Sequence, residues 1–450
     1  MNQFKKIPKI IFLLSLIWII TKFSFIYFTI PLWFILFALL RLTNFQYLAI
    51  LICSEMFNGI DRLTFGPISI IQILAFWLLF KLLIKHDLNK IYVLINSKVF
   101  LLLIVISVYF SLSFFSYFNF ITLSTINWLF ILILTVLSFN GRKDELIFFS
   151  WLFVGSVLVI TLQTFLVQIY FYPDFVSAKQ FAVNNSNHLG FFVLFSFLFI
   201  IFLHGMGHPR YRKLVKNIFY FFSSYLIFSG GRLNLIILFV LLMFIFINPV
   251  KTFWITKIKI LKLFLLVILF LGLSTGAKSL ILRNSENVSF SEYNNLDDLT
   301  DSDLGAFTSG RSSFYLEAID LINAKFYFGN GFLSWSDINN TYNTSISKNE
   351  KERYSLHSTI LQYWAETGLF GLSLYILYLF SIAIIGKKLI ESNDLLLSLS
   401  GIICFYVPVF MILGSTLDNH NLGYSLVHFT AGIGIVFFYN RKKNIKHLSY

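Results

Sequence analysis

Long apolar runs, separated by short basic or polar stretches, cover most of the chain. They begin at Ile10–Thr21 and Phe23–Leu40 and continue through Tyr47–Phe57, Pro67–Leu83, Val99–Phe118, Ile121–Leu137 and Phe148–Tyr170. Leu189–Leu203, Val215–Ser229, Leu233–Ile247 and Ile260–Leu273 follow, then a polar gap, then Thr359–Ile385, Leu395–Leu413 and Leu422–Phe438. A run of roughly 17–25 apolar residues crosses a bilayer as an α-helix, the form that satisfies its own backbone hydrogen bonds in lipid. The pattern predicts an all-α polytopic membrane protein with about 12–14 transmembrane helices, the short Tyr47–Phe57 run being a candidate re-entrant segment. Residues 1–274 form an N-terminal transmembrane block. Residues 275–356 form one large loop, and residues 357–450 a C-terminal transmembrane block with a short tail.

Composition agrees. Of the residues, 57% are hydrophobic and 12% charged, against about 25% charged in an ordinary globular domain. The net charge of +14 therefore reports basic loops rather than nucleic-acid binding. Basic clusters fall at Lys5–Lys6, Lys81–Lys98, Arg142–Lys143, Arg210–Lys216, Lys251–Lys262, Lys387–Lys388 and Arg441–Lys446. If spans alternate, all of these lie on one side, which the positive-inside rule makes cytoplasmic together with both termini. The basic start MNQFKKIPK runs into the first span without an A-x-A-like cleavage site. The loop then faces outward, and its charge fits: 7 Lys+Arg against 11 Asp+Glu, a net of −4, while the rest of the chain carries +18.

Within the loop, Phe314, Ala318, Ile319 and Ile322 recur at helical spacing and predict a helix. Ser309 is its candidate N-cap, Arg311 falls in its first turn, and Gly329 and Gly331 end it as a turn. Cys53 and Cys404 are far apart in apolar runs, so neither a disulfide framework nor a metal site is indicated. No metal-ligand pattern or phosphate-cradling glycine loop is present either.

Candidate chemistry gathers on the outward side. His357 stands where polar sequence turns back into membrane sequence. Its bland reading is an interfacial helix cap; its functional reading is a general base for a hydroxyl, since imidazole titrates near neutrality. Arg232, in SGGRLNLI, and Arg311 are either headgroup anchors or clamps for a pyrophosphate, which a guanidinium holds in bidentate fashion. Asn185, Asn187 and His188, in FAVNNSNHLG, cap a helix or join that site. Glu366 follows His357 by roughly two and a half turns, if one straight helix carries both. A carboxylate there is expected to be paired or functional, and Glu55 and Asp418 raise the same question.

The run TSGR(311)…GNGF(332)…HS(358)TILQYWAETG(368)LFG(371) resembles the O-antigen ligase/polymerase superfamily of bacterial inner-membrane glycosyltransferases. His357, Ser358, Gly368 and Gly371 match its spacing of a His followed by Asn, Ser or Gln, nine residues and GxxG. Arg232 and Arg311 fit the arginines at an outer helix mouth and at the start of the loop helix. The SGGR around Arg232 departs from the usual S-R. The resemblance implies a GT-C-like enzyme that takes a glycan from undecaprenyl pyrophosphate at the periplasmic face without metal or cofactor. It assigns His357 the activation of an acceptor glycan's hydroxyl, Arg232 and Arg311 the pyrophosphate, and Ser358, Glu366, Gly368, Gly371 and Asn187 supporting places. Polymerase is the first expectation, with the lipid bilayer and a chain-length regulator as candidate partners. A ligase onto lipid A–core and a ligase onto protein are rivals. A secondary transporter or flippase is the reading from another class; it predicts paired halves and midplane breaks, which unequal halves and one-sided polar residues disfavour.

Overall fold

A computed structural model describes residues 5–22, 29–57, 64–65, 68–84, 88–112, 118–171, 186–229, 236–242, 312–331, 358–417 and 425–448. The described residues are helical almost throughout. A two-residue hairpin is the exception, β1 (Thr64–Phe65) pairing antiparallel with β2 (Ile68–Ser69).

The helices follow the apolar runs. They are α1 (Lys6–Lys22), α2 (Thr29–Phe34, continued by a π-helical turn over Ile35–Leu39), α3 (Asn44–Ser54) and α4 (Ile70–Ile84). Then come α5 (Leu88–Ile95), α6 (Lys98–Leu112), α7 (Phe118–Ser138), α8 (Lys143–Phe171), α9 (Ser186–Met206) and α10 (Arg212–Ser229). A loop helix, α11 (Ser312–Ala324), precedes α12 (Thr359–Ile390), α13 (Leu395–Leu417) and α14 (Ser425–Leu448). Among the described residues, Lys143–Thr164, Leu189–Met206, Thr359–Ile390 and Leu395–Ser415 are long and apolar enough to cross a membrane. The bent pair α5–α6 makes a fifth candidate. The expected span Ile260–Leu273 and most of Leu233–Ile247 lie outside the described residues.

The centre of the bundle is α9, which is apolar all round and packs on α8, α10 and α13. An apolar helix buried on every side is an interior element, whereas a peripheral one keeps a lipid stripe. The stripes are visible. On α4, Ile73, Phe76, Trp77, Phe80 and Ile84 are exposed, and on α6 Leu101, Val105, Val108 and Leu112 are, while Leu103, Ile106 and Phe110 face inward.

The 11 residues of α3 are too few to cross a ~30 Å hydrocarbon core. A Thr43/Gln46 capping box starts it. At its other end the Glu55 carboxylate accepts hydrogen bonds from the backbone N–H and the hydroxyl of Ser425, the first residue of α14. A carboxylate at a helix N-terminus offsets the positive end of the helix dipole, and this is the role the structure gives Glu55. Asp418 lies outside the described residues.

One helix appears where a basic loop was expected. The Lys90 ammonium of α5 donates to the carbonyls of Leu137 and Phe139 and to Asn140 Oδ1, each at 2.9 Å. It thereby closes the carbonyl-rich end of α7 and fixes α5 against it. Several basic residues share this end of the bundle. Lys81, Lys90 and Arg142 line one cleft of about 540 Å³, Lys5, Lys143 and Arg210 line another, and Arg441 donates to the Lys388 carbonyl.

Candidate functional site

The loop helix α11 ends in the turn Lys325–Gly331, and this turn is threaded into a break in α12. Gly368 interrupts α12 with φ 68° and ψ −178°. A helix broken there leaves carbonyls and N–H groups without their usual partners, and the turn supplies them. The N–H of Asn330 donates to the Ala365 carbonyl at 3.1 Å, and that of Gly331 to the Glu366 carbonyl at 2.6 Å. In the reverse sense, Leu369 N–H donates to the Phe326 carbonyl at 2.9 Å and Phe370 N–H to the Tyr327 carbonyl at 3.2 Å. The Asn330 side chain adds a second bond to the Ala365 oxygen, at 3.0 Å. From α6, the Tyr109 hydroxyl donates to the Thr367 carbonyl at 2.8 Å and lies 3.4 Å from the Phe328 carbonyl.

This close approach of two backbones needs glycine on both sides. A Cβ on Gly368 would lie 2.2 Å from the Tyr327 carbonyl oxygen. One on Gly329, itself at φ 70°, would lie 2.4 Å from the carbonyl carbon and oxygen of Glu366. The GNG of the loop and the first glycine of GxxG are thus two halves of one joint. Gly371 lets the Thr367 side chain pack beside it, where a Cβ would clash.

The break is also a sharp bend. The rings of Tyr363 and Tyr375 meet edge to face at 4.8 Å. On a straight helix those two positions are about 18 Å apart along the axis. The single straight helix expected through Thr359–Ile385 is therefore corrected. Thr359–Thr367 is a separate segment folded toward the following one, because the turn of α11 takes over the hydrogen bonds a straight helix would make. The membrane-crossing part is Leu369–Ile390, about 22 residues or ~33 Å, and it runs toward Lys387 and Lys388 at the basic end. The joint consequently sits at the opposite end of the bundle.

The remaining expected site residues fall as follows. Ser358 is buried and is the N-cap of α12, accepting from the Leu361 N–H at 3.4 Å. Glu366 is 1% exposed, and its Oε1 accepts from the Gln362 side-chain amide at 3.0 Å. It lies two residues before the break rather than within the span. Asn187 is in the first turn of α9. The described part of α11 begins at Ser312, and the turn at Gly329 and Gly331 forms as expected. His357, Arg232, Arg311, Asn185 and the candidate cap Ser309 lie outside the described residues.

Two participants were not read from the sequence. Asn330 stands between the two glycines and carried a usable signal, an amide at the tip of a tight turn. Tyr109 carried none, because it is one of many aromatic residues in apolar runs and its partner is more than two hundred positions away.

Fold and joint together define a polytopic helical membrane protein whose loop is locked into a broken helix at one membrane face. Residues 218–376 match the family model described as O-antigen ligase. This segment, from α10 through α11 and the joint to the start of the spanning part of α12, is what the chain shares with the O-antigen ligase family. No curated protein matches the chain.

Proposed function

We propose that the protein is a polymerase that extends a glycan carried on undecaprenyl pyrophosphate, at the periplasmic face of the inner membrane. The observation that carries the transfer of lipid-linked glycan, common to polymerase and ligase, is the family match, within which the GNG and GxxG glycines form one joint. The gathering of basic residues at the other end of the bundle supports placing both termini in the cytoplasm and the joint outside.

In the proposed reaction, an acceptor sugar hydroxyl attacks the anomeric carbon of the donor. The bond from that carbon to the pyrophosphate oxygen breaks, and the hydroxyl proton passes to His357 as general base. Arg232 and Arg311 take the charge growing on the departing undecaprenyl pyrophosphate, through bidentate hydrogen bonds that their permanent charge favours. Ser358, by capping α12, fixes where the chain enters the helix directly after His357. Glu366, Gly368 and Gly371 support the bend, and Asn187 lies at the corresponding end of α9. The donor is already activated, so no metal or other cofactor takes part. A ligase that moves finished glycan to lipid A–core is the second reading, favoured by the description of the matched family model itself.

Purified protein given an undecaprenyl-pyrophosphate-linked repeat unit in the presence of EDTA is expected to yield a ladder of longer carrier-linked chains. Product formed only when lipid A–core is supplied would assign the ligase reaction instead. Dependence on added divalent cation would overturn the metal-independent mechanism. Movement of the donor across the membrane with no covalent product would identify a flippase.

A further inference from the structure

The turn that closes the joint packs Phe326 edge to face on Trp364 at 5.3 Å and leaves Tyr327 and Phe328 outside it. Phe326, Tyr327 and Phe328 are 38%, 66% and 71% exposed, although the carbonyls of all three accept hydrogen bonds from Leu369, Phe370 and Tyr109. An exposed run of three aromatic rings is unusual for a surface that meets water.

Two lipid-facing stripes lead up to this turn. On the spanning part of α12, Phe370, Leu377, Phe380 and Ile384 are exposed at spacings of seven, three and four, while Tyr375, Tyr378, Leu379 and Ile382 face inward. The exposed stripe of α6 ends at Val108 and Leu112, on either side of Tyr109. Tyr109 packs edge to face on Phe370 at 4.9 Å and reaches the turn through its hydroxyl. The exposed aromatics thus continue a hydrocarbon-facing surface rather than interrupt an aqueous one. Exposed Lys325 precedes them, and exposed Asp320 lies one turn back on α11. A lysine bordering aromatic rings at the end of a span is the arrangement that sits at a headgroup boundary. Its ammonium lies among phosphates, and the rings lie just below.

We propose that Phe326–Phe328 form a hook inserted into the membrane leaflet at the end of the bundle opposite the basic clusters. The occupant of this surface is the acyl-chain and headgroup boundary of that leaflet. Because the turn is also bonded to Ala365, Glu366, Leu369 and Phe370, the hook ties α11 to the bilayer surface and to α12 at once. This reading rests on exposure and continuity with the spanning stripes, and it stands whatever reaction the protein performs.

The test places a nitroxide on single introduced cysteines in the full-length protein. Cys53 and Cys404 are buried, so selective labelling at the surface is practicable. Y327C, F328C and D320C are labelled and reconstituted into vesicles of phosphatidylethanolamine and phosphatidylglycerol. Labels at 327 and 328 are expected to be relaxed more by oxygen, which concentrates in lipid, than by a water-soluble nickel chelate. The label at 320 is expected to show the reverse. Labels at 327 and 328 with the aqueous behaviour of 320 would overturn the hook.

Discussion

His357→Ala is expected to lower the proposed glycan transfer by about 10²–10⁴-fold, the usual contribution of a positioned general acid or base, while leaving the protein's melting temperature unchanged. The separation of the two effects follows from where the residue stands. His357 precedes Ser358, whose own hydroxyl caps α12, so the helix keeps its start when the imidazole is removed. The joint lies further along, at Gly368, and is built from backbone groups and from Asn330 and Tyr109. Initial rates with a defined lipid-linked donor, alongside a thermal melt, check the pair of expectations. Full activity in the variant would remove His357 from the mechanism.

Gly368→Ala is expected to produce the opposite pattern, with the proposed transfer lost because the joint itself is disrupted. Strain from a non-glycine residue at this backbone conformation is of order 1–3 kcal/mol. The added methyl also meets the Tyr327 oxygen and the Phe328 nitrogen, and neither of these backbone atoms can rotate away. Relief requires the turn to leave the break. That exposes the carbonyls of Ala365 and Glu366 and the N–H groups of Leu369 and Phe370 near lipid, where an unsatisfied backbone group costs several kcal/mol. Gly329→Ala attacks the same joint from the other side, through the Glu366 carbonyl. Both variants are expected to melt earlier than wild type and to expose the 325–331 turn to protease. A Gly368→Ala protein with wild-type melting and wild-type transfer would mean that the interlock is not needed.

Much of the helical layout was legible because lipid leaves few choices. An apolar run in a bilayer must pair its own backbone, so α9 and α13 coincide with expected spans to within four residues at each end, and α6 and α8 to within six. The departures have local causes. A single lysine that finds three acceptors at the end of α7 organises α5. The bend of α12 escaped notice because ETGLFG reads as helix with tolerated glycines. Its partner sequence, FYFGNG, lies some forty positions earlier and across a polar gap. Each glycine was recognisable as a motif member, but a motif does not say what a glycine touches. Glu366 is paired, with the Gln362 amide, as one of its two expected readings had it, yet its place beside a bend depends on the docking of α11. Tyr109 was unreadable for a statistical reason: in a chain that is 19% aromatic, one more tyrosine in an apolar run carries no signal.

The most direct test of the polymerase assignment is the length of surface glycan in cells lacking the gene, complemented with wild type or with His357→Ala at matched membrane levels. Long chains are expected with the wild type, and a single repeat unit on its anchor with either the variant or the deletion. Loss of all anchored glycan, with long chains accumulating on the carrier lipid, would contradict a polymerase and assign the ligase reaction. Glycan of normal length in the deletion would contradict both.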